Sequence, residues 1–321
     1  MAIASVNNFN QTRDQICRKA LIKVGAIQAN ETPSTAELND TADALNSMIT
    51  EWDAIGIHVW TQEEAMLFTQ PGQNLYYMGF GTTDNFAQQT SWVSTTLSNT
   101  GNMGDISITV GSINGIIASG NIGIVLETGN IFWTTVNGSP SGNTVNLSVA
   151  LPSVANQNAP VYFYSTPLTR ALRVPAARRY LFSSTIETPM IRMSRQDYMD
   201  LPNKNSTGEP TQFFYDPNIY PLGWFYLWPT PVDATNGIRF TWYRPINTFQ
   251  SPSDTPDLPN EWISTLIFNL AVEIAPEYGT PDRVFDKIKL LADQKLDRLT
   301  GWDREPESVY MGMDFDQTSR N

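Results

Sequence analysis

The sequence predicts an α+β protein in which a discontinuous α-helical bundle, formed by the N- and C-terminal segments, brackets a large inserted all-β region of sandwich or barrel type. Three observations carry this. Near both ends of the chain, apolar residues recur at helical spacing. The centre is filled by short β-rich runs joined by Gly, Asn and Pro links. Charge divides along the same lines: residues 1–66 hold 9 acidic and 4 basic side chains, residues 67–250 hold 9 of each, and residues 251–321 hold 14 against 7. The formal net charge of −12 therefore belongs to the ends.

The first helix is read from Thr12, where Ile16, Ala20, Leu21 and Val24 share a face, Arg13, Lys19 and Lys23 point away from it, and Gly25 is the stop. After Pro33, the spacing of Ser34 and Glu37 is that of a capping box. Leu38, Ala42, Leu45, Ile49 and Trp52 then recur at steps of 4 and 3 as far as Gly56, with Asp40, Asp43, Asn46, Glu51 and Asp53 on the back. Near the other end, Asn260 can cap a helix bearing Ile263, Leu266, Ile267, Leu270 and Ile274, which Pro276 ends. Thr280-Pro281 opens a further helix with Val284, Ile288, Leu291 and Leu299 on one side up to Gly301. Neither helical pair can bury its stripe alone, so the two pairs are expected to share a core, with Leu45, Ile49 and Trp52 meeting Leu266, Leu270 and Ile274. The predicted helical domain is residues 1–66 with 251–302, the β insertion is 67–250, and 303–321 form an extended tail.

Within the insertion, residues 105–110, 121–127, 131–136, 144–149 and 160–164 read as strands of a compact module covering about 88–165. Between residues 85 and 165 that module carries two charged side chains, Asp105 and Glu127. Glu127 to Asn130 is a hairpin turn, and Asn137-Gly138 marks another. Residues 75–78, 223–229 and 237–245 are aromatic strands of a second sheet. The segment 168–186 reads as strand, turn and helix carrying arginines.

Composition excludes several chemistries. One His (His58, in an apolar run that suggests packing) and one Cys (Cys17) cannot build a His-rich zinc site, a Cys-x-x-Cys pair or an intrachain disulfide. The GFG of residues 79–81 lacks the basic residue and helix start of a phosphate loop, and no Gly-x-Ser-x-Gly elbow occurs. The adjacent Glu63 and Glu64 do not face each other on a helix, and read as a solvated helix end rather than a glycosidase pair. No enzyme, cofactor or metal is therefore expected. The acidic balance argues against a phosphate-neutralising DNA clamp. The apolar runs are shorter than the roughly 20 residues of a membrane helix, and the start of the chain has no signal pattern, so synthesis in the cytoplasm is expected.

Two polar features stand out. Arg170, Arg173, Arg178, Arg179, Arg192 and Arg195 form a cluster suited to acidic surfaces of a neighbouring subunit or to DNA phosphate, against local pairing with Glu187, Asp197, Asp200 and Asp216. The segment after Gly301 mixes acids with Trp302, Tyr310, Met311, Met313 and Phe315 without helical period. It reads either as a flexible terminus or as a peptide that docks in a partner's groove. The aromatic wealth also admits glycan stacking, although alternation puts Trp224, Tyr226 and Trp228 on one sheet face, where core packing is expected.

The strings 14–27 and 37–60, with Leu45, Asn46, Met48, Ile49, Glu51, Trp52 and Gly56, and the string 258–279, ending Ile274-Ala275-Pro276-Glu277-Tyr278-Gly279, resemble the head-to-tail adaptor (packaged-DNA stabilisation, head-completion) proteins of short-tailed bacteriophages. The resemblance covers about 100 residues, and the large insertion departs from the smallest members. It implies a virion neck protein assembled in the host cytoplasm. This protein would be a homo-oligomeric, dodecameric ring beneath the portal protein, with its C-terminal segment reaching onto the portal. The ring would close the DNA-filled head, continue the channel for genomic double-stranded DNA, and present a platform for tail nozzle or fibre proteins, with no membrane involved. Acidic helix backs and an aromatic tail suit those roles. The alternatives are a tail-associated, β-rich glycan-binding protein and, more remotely, a cell-wall hydrolase.

Overall fold

The structure is a computed structural model, described here for residues 10–56, 59–79, 86–218 and 222–302. It is mixed α+β and rich in antiparallel sheet. The helices are α1 (Arg13–Val24), α2 (Thr35–Ile55), α3 (Arg195–Met199), α4 (Ile263–Ile274) and α5 (Asp282–Trp302). The strands are β1 (Gln62–Phe68), β2 (Leu75–Gly79), β3 (Phe86–Gln88), β4 (Trp92–Thr96), β5 (Ser107–Thr109), β6 (Asn121–Val125), β7 (Ile131–Thr135), β8 (Thr144–Asn146), β9 (Pro160–Tyr164), β10 (Arg173–Leu181), β11 (Glu187–Pro189), β12 (Ile191–Arg192), β13 (Gln212–Asp216), β14 (Leu222–Trp228) and β15 (Asn236–Tyr243). The chain divides into two compact units, residues 1–60 with 246–321 and residues 61–245.

In the helical unit each end signal acts locally. Ser34 accepts the Glu37 N–H at 3.2 Å while the Glu37 carboxylate accepts the Ser34 N–H at 2.7 Å, so two otherwise orphaned donors at the start of α2 are satisfied. Gly25 and Gly56 end α1 and α2 at φ of 81° and 91°, a left-handed conformation that costs glycine nothing. Ile16, Leu21, Leu45, Ile49, Trp52, Leu266, Leu270 and Ile274 are buried in one cluster, where Trp262 meets Trp52 at 5.9 Å and Trp60 at 4.8 Å. Truncating any of these core aliphatics to Ala costs about 2–5 kcal/mol by cavity formation.

The β unit is layered. One sheet has the order β11-β10-β15-β1-β3 and a second β12-β13-β14-β2. They enclose a core in which Leu67, Ile238, Phe240 and Trp242 of the first meet Tyr76, Phe213, Phe225 and Leu227 of the second. Strand β1 is buried on both faces, because Met66 and Phe68 join Tyr162, Tyr164 and Ile131 in a different cluster. Tyr162, Tyr164 and Ile131 belong to a third sheet, β4-β9-β6-β7. The opposite face of that sheet, together with the β5-β8 pair, forms a separate aliphatic core of Ile108, Ile122, Ile124, Val145, Val161 and Phe163. The β6–β7 hairpin turns at Gly129 (φ 84°), whose N–H donates to the Leu126 carbonyl.

Several expectations are corrected. Residues 62–66, assigned to the helical domain, are the first part of β1, and the two units meet in sequence at Trp60 and Ile246, not at 66 and 251. Glu63 and Glu64 are strand residues, since β15 offers their backbone a ladder over seven residue pairs. The segment read as strand, turn and helix is one nine-residue strand, β10, whose Val174 and Ala177 enter the sandwich core. The expected helix is absent from that segment; the next helix is the short α3, outside it. Asn260 begins a 3-10 turn rather than capping α4. Helix α5 runs through Gly301 to Trp302 and buries Ile288 and Ala292, with Phe285, Leu296 and Leu299 partly buried, leaving Val284 and Leu291 exposed.

Candidate assembly surfaces

The solvent face of α2 carries Asp40, Asp43 and Glu51, all exposed. Asn46 and Asp53, placed on the same back by sequence, turn inward. Asn46 donates from Nδ2 to the Phe249 carbonyl at 3.1 Å and accepts the Phe249 N–H at 2.9 Å, and Asp53 accepts the Ile246 N–H at 3.2 Å. They pin the segment that returns from the β insertion, using side chains as a substitute strand. Nothing local in the sequence marks this, because the partners are about 200 residues away. Arg13, also read as outward, is 9% exposed, bound to Asp14, with its N–H donating to the Asp254 carbonyl. Lys23 lies 3.9 Å and Lys295 5.1 Å from the centre of the Phe268 ring. Burial, then the neighbouring Lys295 and Lys19 charges, lower the Lys23 ammonium from its ordinary pKa.

Helix α5 shows an apolar strip. Val284 and Leu291, seven residues apart and so on one line, are 39% and 43% exposed, and Leu290 beside them 58%. Within the helical unit nothing described covers them, although Val284 and Leu291 were expected on the helix's apolar side.

The arginine cluster is dispersed over the β unit. Arg178 lies 3.8 Å from both Glu64 and Glu187. Arg179 pairs with Glu209, Arg195 with Asp216, and Arg170 donates to the Pro217 carbonyl at 2.7 Å. Arg173 and Arg192 are exposed and make no ion pair among the described residues. Asp197 pairs with no arginine among the described residues: it caps α3, its carboxylate accepting from the Ser194 hydroxyl and N–H, which holds its pKa below the ordinary range. Sequence reading missed the centre of the network. Arg239 bridges Glu64 and Glu187, and Arg244 donates to Glu63 at 2.8 Å. Burial opposes the Arg239 charge, and the hydrogen bonds to Glu187 and Glu64 outweigh it, leaving its pKa raised. The β1–β15, β10–β15 and β10–β11 registers bring these charges together.

Trp224, Tyr226 and Trp228 do share a face of β14, but it is the half-exposed one, because Phe225 and Leu227 fill the sandwich core. Tyr226 packs 4.7 Å from Tyr198 and Trp224 6.3 Å from Tyr77.

His58 and the tail residues Tyr310, Met311, Met313 and Phe315 lie outside the described residues, and Trp302 is the last position of α5. Cys17 is fully buried, which pushes its thiol up to about 12, far from a nucleophile's range. Among the described residues no group of three or more His, Cys, Asp or Glu is placed to hold a metal ion, and no helix is long and apolar enough to cross a membrane.

A long β insertion between two helical segments, with acid concentrated on the helices, describes a scaffold for assembly. The sequence profile of the SU10 adaptor protein family matches residues 127–312, more than half of the chain. The chain belongs to that family of phage head-to-tail adaptors and is a structural component of the virion. The match takes in the second half of the β insertion as well as α4 and α5, so the insertion is part of the family's pattern, whereas the N-terminal strings that first suggested an adaptor lie outside it. Among curated proteins the chain has no match.

Proposed function

We propose that the protein forms a ring, dodecameric as the resemblance implies, that docks beneath the portal after packaging. There it closes the DNA-filled head, continues the exit channel and carries the tail nozzle or fibres. The observation that carries this reading is the adaptor-family match over residues 127–312. In this reading the helices on either side of the insertion act as one discontinuous adaptor domain, residues 1–60 and 246–302. Together, residues 1–60 and 246–321 hold 21 acidic and 11 basic side chains. Such a surface repels phosphate and lets the duplex slide instead of adhering.

Two features support contacts between copies. The apolar strip of Val284, Leu290 and Leu291 is suited to a neighbouring helix, since exposed apolar patches mark association sites. Arg173 and Arg192 are the members of the arginine cluster left for an acidic neighbour, the other four being engaged within the chain. The tail, with Tyr310, Met311, Met313 and Phe315, docks on the portal as an extended peptide in this reading. Truncation after Trp302 tests that role. The shortened chain is expected to keep its circular dichroism and melting temperature but not to bind portal rings in sedimentation. Undiminished binding would contradict the tail assignment.

A further inference from the structure

A cleft of about 690 Å³ opens in the β unit between β4 and β9 on one side and the end of β10 with the turn before β15 on the other. That volume is in the roughly 300–1,000 Å³ range of small-ligand sites. We propose that this cleft binds a neutral saccharide, held against its aromatic wall and by hydrogen bonds from the sugar hydroxyls.

The wall is continuous. Phe182 lies 4.8 Å from Tyr162, 5.6 Å from Tyr180 and 6.2 Å from Trp92, centre to centre. Aromatic faces are suited to the C–H face of a pyranose, which is apolar on one side and hydroxylated at its rim. The polar groups match that rim. Tyr162 lines the cleft and is 2% exposed, yet its hydroxyl makes no hydrogen bond among the described residues. Burial raises its pKa, so it is a neutral donor. The hydroxyl is not one of the wholly buried orphan groups, so it keeps access to solvent, where a ligand oxygen can take the place of water. At the rim, Asp233 uses a single oxygen, Oδ1, to accept the Thr235 N–H at 3.0 Å and the Thr235 hydroxyl at 2.6 Å. Its Oδ2 makes no hydrogen bond among the described residues and can accept a sugar hydroxyl.

Charge sets the ligand class. Among the described residues the lining contains no Lys, Arg or His and one carboxylate, Asp233, so an anionic glycan or a phosphate would meet repulsion without compensation. A purely apolar peptide side chain would fill the wall but leave the Tyr162 hydroxyl unpaired.

The test is titration of the full-length protein with maltotriose, cellotriose and tri-N-acetylchitotriose, followed by calorimetry and by saturation-transfer NMR. At least one is expected to bind in the millimolar range or tighter. Trp92→Ala is expected to weaken that binding about tenfold, and Tyr162→Phe, which keeps the ring and removes the hydroxyl, about fivefold with an unchanged melting temperature. The proposal is overturned if none of the three binds at millimolar concentration, if Tyr162→Phe binds as the parent does, or if a Trp- and Pro-containing peptide occupies the cleft and the sugars do not.

Discussion

Asn46 shows how one side chain can hold a distant segment in place. Its amide forms a two-way bridge to the backbone of Phe249, a residue 4% exposed in the helical core. Asn46→Ala would leave that N–H and carbonyl without partners, so a loss of about 1–3 kcal/mol in urea unfolding is expected. Asn46→Asp keeps an acceptor for the N–H but sets a carboxylate oxygen against the Phe249 carbonyl, so it should not restore the loss. Asp254 performs a similar service nearby. Its carboxylate accepts the Ser251 N–H at 2.6 Å and the Gln250 N–H at 2.8 Å, and these bonds hold its pKa below the ordinary carboxylate value. The folded pKa is the lower one, so the stabilisation is present above the unfolded pKa of about 3.9 and is lost as pH falls through the folded value. Thermal melts should therefore show Asp254→Asn less stable than the parent at neutral pH, with the gap closing below about pH 4. A gap independent of pH would assign the effect to packing instead.

Among the elements, those with a strong local period were legible in the sequence. The capping box of Ser34 and Glu37, the stripe of α2, the stripe of α4 and the hairpin at Gly129 each carry their signal within one or two turns of chain. Strand β1 does not, because both its faces are buried: Ala65 and Leu67 on one side and Met66 and Phe68 on the other leave no alternation to read. The acids before them, Glu63 and Glu64, imitate a helix end until Arg244 and Arg239 are brought in from 175 or more residues away. For the same reason the arginine cluster, contiguous in sequence, is not contiguous in space. Helix α5 was legible as a helix and half legible in its facing: Ile288 and Leu299 of the expected stripe pack on the core beside Ala292, whereas Val284 and Leu291 are exposed. That exposed line yields a prediction. Leu290→Lys with Leu291→Lys should abolish ring formation in light scattering while changing monomer stability by no more than about 0.5 kcal/mol, as is usual for surface positions. Rings that persist would remove the strip from the interface.

At the scale of the whole molecule, charge, fold and family describe one division of labour. The acid is concentrated in the helical unit, while the β unit pairs most of its arginines internally and, from residue 85 to 165, carries two charges. In the proposed reading the ring lines a DNA path, which calls for a repellent surface where the duplex passes and uncharged or apolar surfaces where other proteins attach. The most direct measurement is electron cryomicroscopy of portal rings incubated with the purified full-length protein. One added ring is expected on the axial face of the portal, with the helical unit toward the channel and density for residues 303–321 running onto the portal. Portal rings that remain bare under conditions where the protein is folded and in excess would contradict that reading.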